Sequence, residues 1–495
     1  MKIFSVDQIR RWDSYTIEHE PITSIDLMER AALAFTEWLL RTGMVETHHD
    51  ISIVCGLGNN GGDGLAIARL LKQAGYLPKV SIVKHTDRSS EDFEVNLGRY
   101  EHLDTVHWVS QSDELHFSPS GVIIDALMGS GLSRGLTGLL AEVVQKINNS
   151  GAEIISVDIA SGLFANQANA EEDVIIKPTY TVSFQAPKLA FLQPKNVQYV
   201  GKWQTVDIGL HAVYAEQTPT NWFFTNALAL PQLPERSGFA NKGNFGHALL
   251  IAGSLGKIGA AVLASRSCLR SGVGLLTVQV PRCGYDIMQT SVPEAMCMVD
   301  EDREEITTSQ DWSKYSAIGI GPGLGKSEKT KAFMRHFLSK TQKIPCVIDA
   351  DALNILSEER DLLNLLPEKT VLTPHPKEFE RLLGKPWKND YEKLELLREF
   401  CEKHQVTVVL KGQHTVVATP DGQFHFNSTG NPGMATGGTG DVLTGVITAL
   451  LAQQLEPKEA AILGVYRHGE AGDRAAAKYG FVALKAGDVA ESLRW

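Results

Sequence analysis

Residues 431–445 read NPGMATGGTGDVLTG. Thr436, Gly437, Gly438 and Thr439 precede Gly440 and Asp441, after which Val442, Leu443, Val446, Ile447, Leu450 and Leu451 recur at helical spacing. The pattern predicts a glycine-rich turn opening an amphipathic helix. The first N–H groups of such a helix have no partner within it, and the helix dipole makes that end positive. It is a natural seat for a phosphate or for an anion forming during reaction. Asp441 has two readings from spacing alone: a cap of the helix start, or a base held beside a bound phosphate.

The same alternation of apolar strands and glycine-rich turns runs through the chain and predicts an α/β fold in two layered domains. Two N-terminal helices are expected over 7–18 and 25–40, buried by packing or by a dimer surface. ISIVC (51–55) then reads as a buried strand entering GLGNNGGDG (56–64) and a helix over 65–74. Formally this is a dinucleotide fingerprint. However, the second strand, KVSIVK (79–84), ends in Lys84 and His85 rather than in the acid that grips a ribose, and Asp63 puts a negative charge inside the loop. GVIIDALMGSGL (121–132) ends a strand at Asp125 and continues into a second glycine loop through Gly135; EIISVDIASGL (153–163) delivers Asp158 and then Ser161. Ligands of parallel α/β sheets sit at the carboxyl ends of strands. Two strand-end acids beside the NNGGDG loop therefore favour a pocket over two local turn caps. Further strands are read at 179–184 and 203–210. Periodicity fades over 212–235, and the domain boundary is placed near 220, giving domains 1–220 and 221–495.

In the second half, HALLIAGS (247–254) is a strand followed by a helix over 259–269, and SGVGLLTVQVP (271–281) a second strand. YSAIGIGPGLG (315–325) is a strand with a glycine loop, but Lys326 lies outside any P-loop spacing, so this is no P-loop NTPase. CVIDADALN (346–354) ends in Asp349 and Asp351. VLTPHPKEFERLL (371–383) holds His375 between two prolines, and VTVVLKGQHTVVA (406–418) is strand, turn, strand. Two closing helices are expected over 457–469 and 473–478.

Bulk properties narrow the function. A chain of 495 residues suggests two or more domains. A formal net charge of −11 disfavours nucleic acid or an anionic membrane as main partner. There is no apolar run long enough for a signal peptide or a membrane span. The six cysteines have neither CxxC nor metal-ligand spacing and read as reduced core thiols, so a cytoplasmic protein is expected.

GGTGD followed by an apolar helix resembles the signature of ribokinase-type folds. Its GTGD form, with GPGLG, TPHxxE and KGNFGH, resembles the ATP/ADP-dependent NAD(P)H-hydrate dehydratases. The GNNGGDG loop with its two acidic strand ends is similar to the NAD(P)H-hydrate epimerases, so the chain resembles the bifunctional repair enzymes. The resemblance implies a Rossmann-like three-layer domain followed by a ribokinase-like three-layer domain. The first interconverts R and S NAD(P)H hydrate. The second dehydrates the S form with ADP, giving AMP and phosphate. In the epimerase half it places substrate at Asn59, Asn60, Gly61, Gly62, Asp63, Gly129, Ser130, Gly131, Leu132, Ser133, Arg134, Gly135 and Asp158. Asp158 also serves in proton transfer. Potassium falls to Asn60, Asp125 and Ser161, whose hard oxygen donors suit an alkali cation. Ala160 stands where the family commonly has proline. In the dehydratase half, Ala260, Gly323, His375 and Asp441 are expected to meet substrate. The nucleotide falls to Lys411, Gly412, Gln413, His414, Thr415 and Gly440. Asp441 is expected as catalytic base and Mg²⁺ as counter-charge to phosphate. The competing reading is a ribokinase-type small-alcohol kinase joined to a non-catalytic nucleotide-binding module. A homo-oligomer is compatible with the helix-rich N-terminus.

Overall fold

The computed structural model describes residues 1–233 and 235–495. The chain forms two compact units, Lys2–Trp222 and Phe223–Trp495 together with Met1.

In the first unit, helices α1 (Val6–His19) and α2 (Ser24–Thr42) precede β1 (Ile51–Cys55), α3 (Asn59–Gln73), β2 (Lys79–Val83), α4 (Glu91–Glu101) and β3 (His107–Val109). β4 (Val122–Ala126), α5 (Gly138–Asn148), β5 (Glu153–Val157), β6 (Tyr180–Phe184) and β7 (Lys202–Val206) follow. The sheet order is β3-β2-β1-β4-β5-β6-β7, and every pairing is parallel. β1, β4 and β5 read as unbroken apolar runs because both faces are covered. Ile53, Cys55 and Ile124 pack with α1 to α4, whereas Val54 and Ile123 pack with Val143, Val144 and Ile147 of α5. Residues 86–118 contain α4 and β3. α4 is capped by Ser90 and buries only Phe93, Asn96, Leu97 and Tyr100, so its apolar stripe is narrow.

In the second unit, β8 (Trp222–Thr225), β9 (His247–Ile251), β10 (Leu275–Val280), β11 (Met296–Val299), β12 (Ala317–Ile320), β13 (Cys346–Ile348), β14 (Thr370–Leu372), β15 (Thr407–Leu410), β16 (Val416–Ala418) and β17 (Phe424–Asn427) form one sheet. Its order is β11-β10-β9-β12-β13-β14-β15-β16-β17-β8. It is parallel from β11 to β15, and β15 to β17 form an antiparallel meander. The helix Thr439–Ala452 buries every residue from Val442 to Ala452. The amphipathic expectation is therefore corrected: the helix is covered on all sides, as all-round apolarity requires. The two expected closing helices are one, Pro457–Tyr479. Gly469 and Gly472 do not interrupt it; a Cβ there would meet Thr429 Oγ1 at 2.3 Å and Met434 Sδ at 2.2 Å. They are glycines of close approach.

Both sheets reverse strand order at one place, between β1 and β4 and between β9 and β12. A crevice opens outside the strand ends at such a point.

Candidate active sites

The first crevice is a cavity of about 540 Å³ lined by the loops after β1, β4, β5 and β6 and by one face of α1. The β1 loop comes close to its neighbours because it is glycine: a Cβ on Gly61 would lie 1.9 Å from the Gly56 carbonyl oxygen. Among the residues expected to hold substrate, Asn59, Asn60, Asp63, Gly129, Ser130, Gly131, Leu132 and Asp158 line the cavity. Gly61, Gly62, Ser133, Arg134 and Gly135 do not. Gly62 faces Met28 and Phe93 instead, and Gly135 faces Asp173.

Asp158 holds a left-handed backbone, φ 65°. A non-glycine residue adopts that only where its surroundings enforce it. Here its N–H donates to Val182 O at 2.8 Å. Its Oδ1 accepts from Lys188 Nζ at 2.8 Å, Phe184 N at 3.1 Å and Ser183 Oγ at 3.4 Å. Lys188 is 3% exposed, so this is a buried ion pair. The sequence reading passed over Lys188. It stands in the loop after β6, and the rule that led to Asp158, a charged residue past a parallel strand end, marks it equally.

Asp125 is fully buried and accepts from Ser156 Oγ at 2.8 Å, Ser161 N at 2.9 Å and Ser161 Oγ at 2.6 Å. Leu127 N also donates to it at 3.3 Å, so Asp125 does cap its own turn. Burial raises its pKa against these four donors. Asn60 lies against Gly129, and its Nδ2 is buried without a partner. A buried carboxylate with no cation paired to it among the described residues, an amide and a hydroxyl are donors that fit an alkali ion.

α1 corrects the expectation that the N-terminal helices serve only for packing. Trp12 and Thr16 are its buried residues, with Trp12 Nε1 donating to His211 O at 2.9 Å. The neighbouring stripe, Ile9, Arg10 and Asp13, lines the cavity. Asp13 is pushed up to about 7, first by burial and then by the charge of Asp158. Asp63 is pushed up well above the usual carboxylate range by burial and by Asp158, Asp13 and Asp92.

In the second unit the loops after β9, β12, β13, β14 and β15 converge on the start of the helix Thr439–Ala452. Gly438 is its N-cap, left-handed at φ 95°, and no side chain caps the turn. Asp441 is in the first turn and is not a cap. Burial, then the charge of Asp349, raises its pKa to about 6. Asp349, 1% exposed, accepts from Lys411 Nζ at 2.9 Å and from Thr444 Oγ1 at 2.8 Å. A Cβ on Gly440 would lie 3.4 Å from Lys411 Nζ, so the ammonium stands over the helix start. Burial opposes the charge of Lys411, but Asp349 and Glu378 outweigh it and hold its pKa above the usual value. His375 is the N-cap of the helix Pro376–Leu383. Its Nδ1 accepts from Lys377 N at 3.1 Å and Glu378 N at 3.4 Å, and its own N–H donates to Glu378 Oε2 at 2.8 Å. The Nδ1 of this histidine is thus taken up by the helix cap, while its side chain stays 45% exposed.

Ala260 and Gly323 are neighbours: a Cβ on Gly323 would lie 3.2 Å from Ala260 Cβ. The β12 loop is pinned by Ser254 Oγ donating to Gly323 O at 2.8 Å and by Gly325 N donating to Asp351 at 2.9 Å. In the turn from Lys411 to Thr415, Thr415 Oγ1 donates to Gly412 O at 2.9 Å and His414 Nδ1 meets Asn427 O at 3.0 Å. Gln413 stands in the same turn. Glu378 is the acid of the TPHxxE motif, whereas Thr444, the site's other inner support, escaped the sequence reading.

A family model described as NAD(P)H-hydrate dehydratase matches residues 248–494, and one described as YjeF-related protein N-terminus matches residues 24–190. The bifunctional NAD(P)H-hydrate repair enzyme Nnr of Moorella thermoacetica is 36% identical over 513 aligned positions, covering 100% of this chain and 96% of that protein. Its counterpart of the same name in Escherichia coli is 32% identical, covering 99% of this chain and 93% of its own length. Among solved structures, the ADP/ATP-dependent NAD(P)H-hydrate dehydratase of Bacillus subtilis is 33% identical, covers 52% of this chain and 91% of its own, and has a TM-score of 0.44. With full-length relatives and both halves matched, this chain belongs to the family of bifunctional NAD(P)H-hydrate repair enzymes.

Proposed function

We propose that residues 1–220 epimerise NAD(P)H hydrate and that residues 221–495 dehydrate the S form with ADP, releasing AMP and phosphate. The observation that carries the second assignment is the placing of Asp441, Lys411 and the bare N–H groups of one helix start around a single point. Hydroxide is a poor leaving group from C6 of the hydrated ring. Transfer of a phosphoryl group to that hydroxyl makes a good one. Asp441 takes the hydroxyl proton, and the amides from Gly437 to Gly440 with Lys411 hold the transferred phosphoryl group. Asp349 keeps the ammonium in place. The segment from Lys411 to Thr415 holds the nucleotide, and Ala260, Gly323 and His375 border the ring. A magnesium ion, when bound with the nucleotide, would offset the charge of its phosphates.

In the first domain, Asp158, paired with Lys188, serves in proton transfer as C6 is inverted. Potassium would sit at Asn60, Asp125 and Ser161, where it would compensate the buried carboxylate and steady the loops around the ring. Among the described residues no helix is long and apolar enough to cross a membrane. Six free cysteines support a reducing, cytoplasmic setting.

The test supplies mixed R and S hydrate with ADP and Mg²⁺, follows NADH absorbance and resolves the products. Full conversion with AMP and free phosphate is expected. A phosphorylated alcohol without NADH would overturn the dehydratase reading in favour of a small-alcohol kinase.

A further inference from the structure

α1 carries a carboxylate into the first cavity for which packing has no use. Along this helix Ile9, Arg10 and Asp13 fall at helical spacing on the cavity side, while Trp12 and Thr16 anchor the adjacent stripe. The helix is also held at its start, where Ser5 caps it and Val6 N donates to Asn166 Oδ1 at 2.9 Å. Asp13 therefore stands on a rigid element. Its carboxylate has neither a hydrogen bond nor an ion pair among the described residues; Arg10, on its own helix, turns to Asp7 at 3.6 Å. The orphaned Nδ2 of Asn60, a residue 8% exposed, marks the same cavity as a place that takes a polar ligand.

We infer that Asp13 is the second proton-transfer group of the epimerase site, acting on the face of the ring opposite Asp158. The inference rests on the epimerase reading of this cavity. Inverting C6 means removing its hydroxyl from one face and returning one to the other. The C6–O bond breaks with its electron pair on oxygen, which takes the proton of Asp13 and leaves as water. The ring nitrogen's lone pair closes an N1=C6 iminium. Water then adds from the other face through its own lone pair, the iminium electrons return to nitrogen, and the water's surplus proton passes to Asp158. One water leaves and one enters, and one proton moves from Asp13 to Asp158; exchange with solvent restores the pair. The reverse reaction uses the same two groups with roles exchanged.

Two carboxylates in one site take opposite roles when their surroundings differ. Asp158 is ion-paired with Lys188 at 2.8 Å and accepts. Asp13, desolvated and facing the charge of Asp158, is pushed up to about 7, where a group both gives and takes a proton readily near neutrality. Asp63, the other carboxylate on this side of the cavity, is raised well above the usual range by burial and then by Asp158, Asp13 and Asp92. His85 and Arg88, from the loop after β2, and Arg10 complete the charged groups around this cavity.

The experiment uses the full chain and pure R hydrate without ADP, with the R and S forms resolved by chromatography at a series of pH values. Asp13→Asn is expected to lose at least about a hundredfold in epimerisation rate, to lose the ionisation near neutrality from its pH profile, and to dehydrate S hydrate at the parent rate. Asp13→Glu should restore part of the rate together with that ionisation. If Asp13→Asn keeps the parent rate and profile while Asp158→Asn abolishes epimerisation, the proposal is wrong and the epimerase reading stands. A slowed Asp13→Asn with the parent's profile and no recovery in Asp13→Glu reduces Asp13 to packing and also overturns it. If the parent chain itself does not epimerise, the reading of the cavity falls and the inference with it.

Discussion

Asp441, the proposed base of the second unit, has surroundings that set it against stability. Burial and the neighbouring Asp349 raise its pKa to about 6, so the ionised form needed by a base is the form that folding disfavours. The stabilising contribution of this group is present below the ordinary carboxylate range and lost as pH rises through about 6. Two outcomes follow from one variant. Asp441→Asn should lose dehydration by on the order of a hundred- to ten-thousandfold. It should also melt higher than the parent at pH 8, with that advantage shrinking at pH 5. In the parent, kcat/KM for dehydration should fall as pH drops through about 6, as the base is protonated. Normal dehydration by the variant would return Asp441 to a structural role at the helix start.

The helix Thr439–Ala452 and its turn form the element that presents these groups. Gly438 turns the chain at φ 95°, a region that costs an L side chain roughly 1–2 kcal/mol. A Cβ there would also meet Leu263 Cδ1 at 2.6 Å and Ala486 Cβ at 3.0 Å. Gly438→Ala should therefore shift the first turn of the helix. We expect weaker ADP binding by calorimetry, by tenfold or more, together with a lower melting temperature. Unchanged ADP affinity would mean that the amides of this turn do not hold phosphate. α1 illustrates the limit of reading single elements. Its buried stripe, Trp12 and Thr16, announces packing, and nothing local says that the stripe beside it faces a cavity.

At the scale of the molecule, two units carry two steps on one substrate pool. Asp158→Asn keeps the shape of the first site and removes its proposed proton acceptor. It should leave dehydration of S hydrate at the parent rate, since Asp441 belongs to the other unit. Given mixed epimers, ADP and Mg²⁺, the variant should consume the S form and then slow to spontaneous epimerisation, seen as a break in the NADH trace. A trace running to completion at the parent's rate would make the first unit a binding module.

Much of the architecture was legible because parallel strands covered on both faces read as continuous apolar runs, as ISIVC does, and because glycine loops mark their carboxyl ends. Resemblance of the NNGGDG and GGTGD loops then carried the reading from fold to reaction. α4 and the unbroken helix Pro457–Tyr479 were not legible: one has a narrow apolar stripe, and the other contains glycines chosen for contact rather than for turning. What the sequence by itself determined is which strand ends bear loops and which of those loops bear acids. Only the tertiary structure decided who meets whom. Lys188 reaches Asp158 across 30 positions, Lys411 reaches Asp349 across 62, and Thr444 reaches Asp349 across 95. Such pairs depend on the order of strands in the sheet, and strand order is set by how whole layers bury their apolar faces. Local spacing carries no record of it.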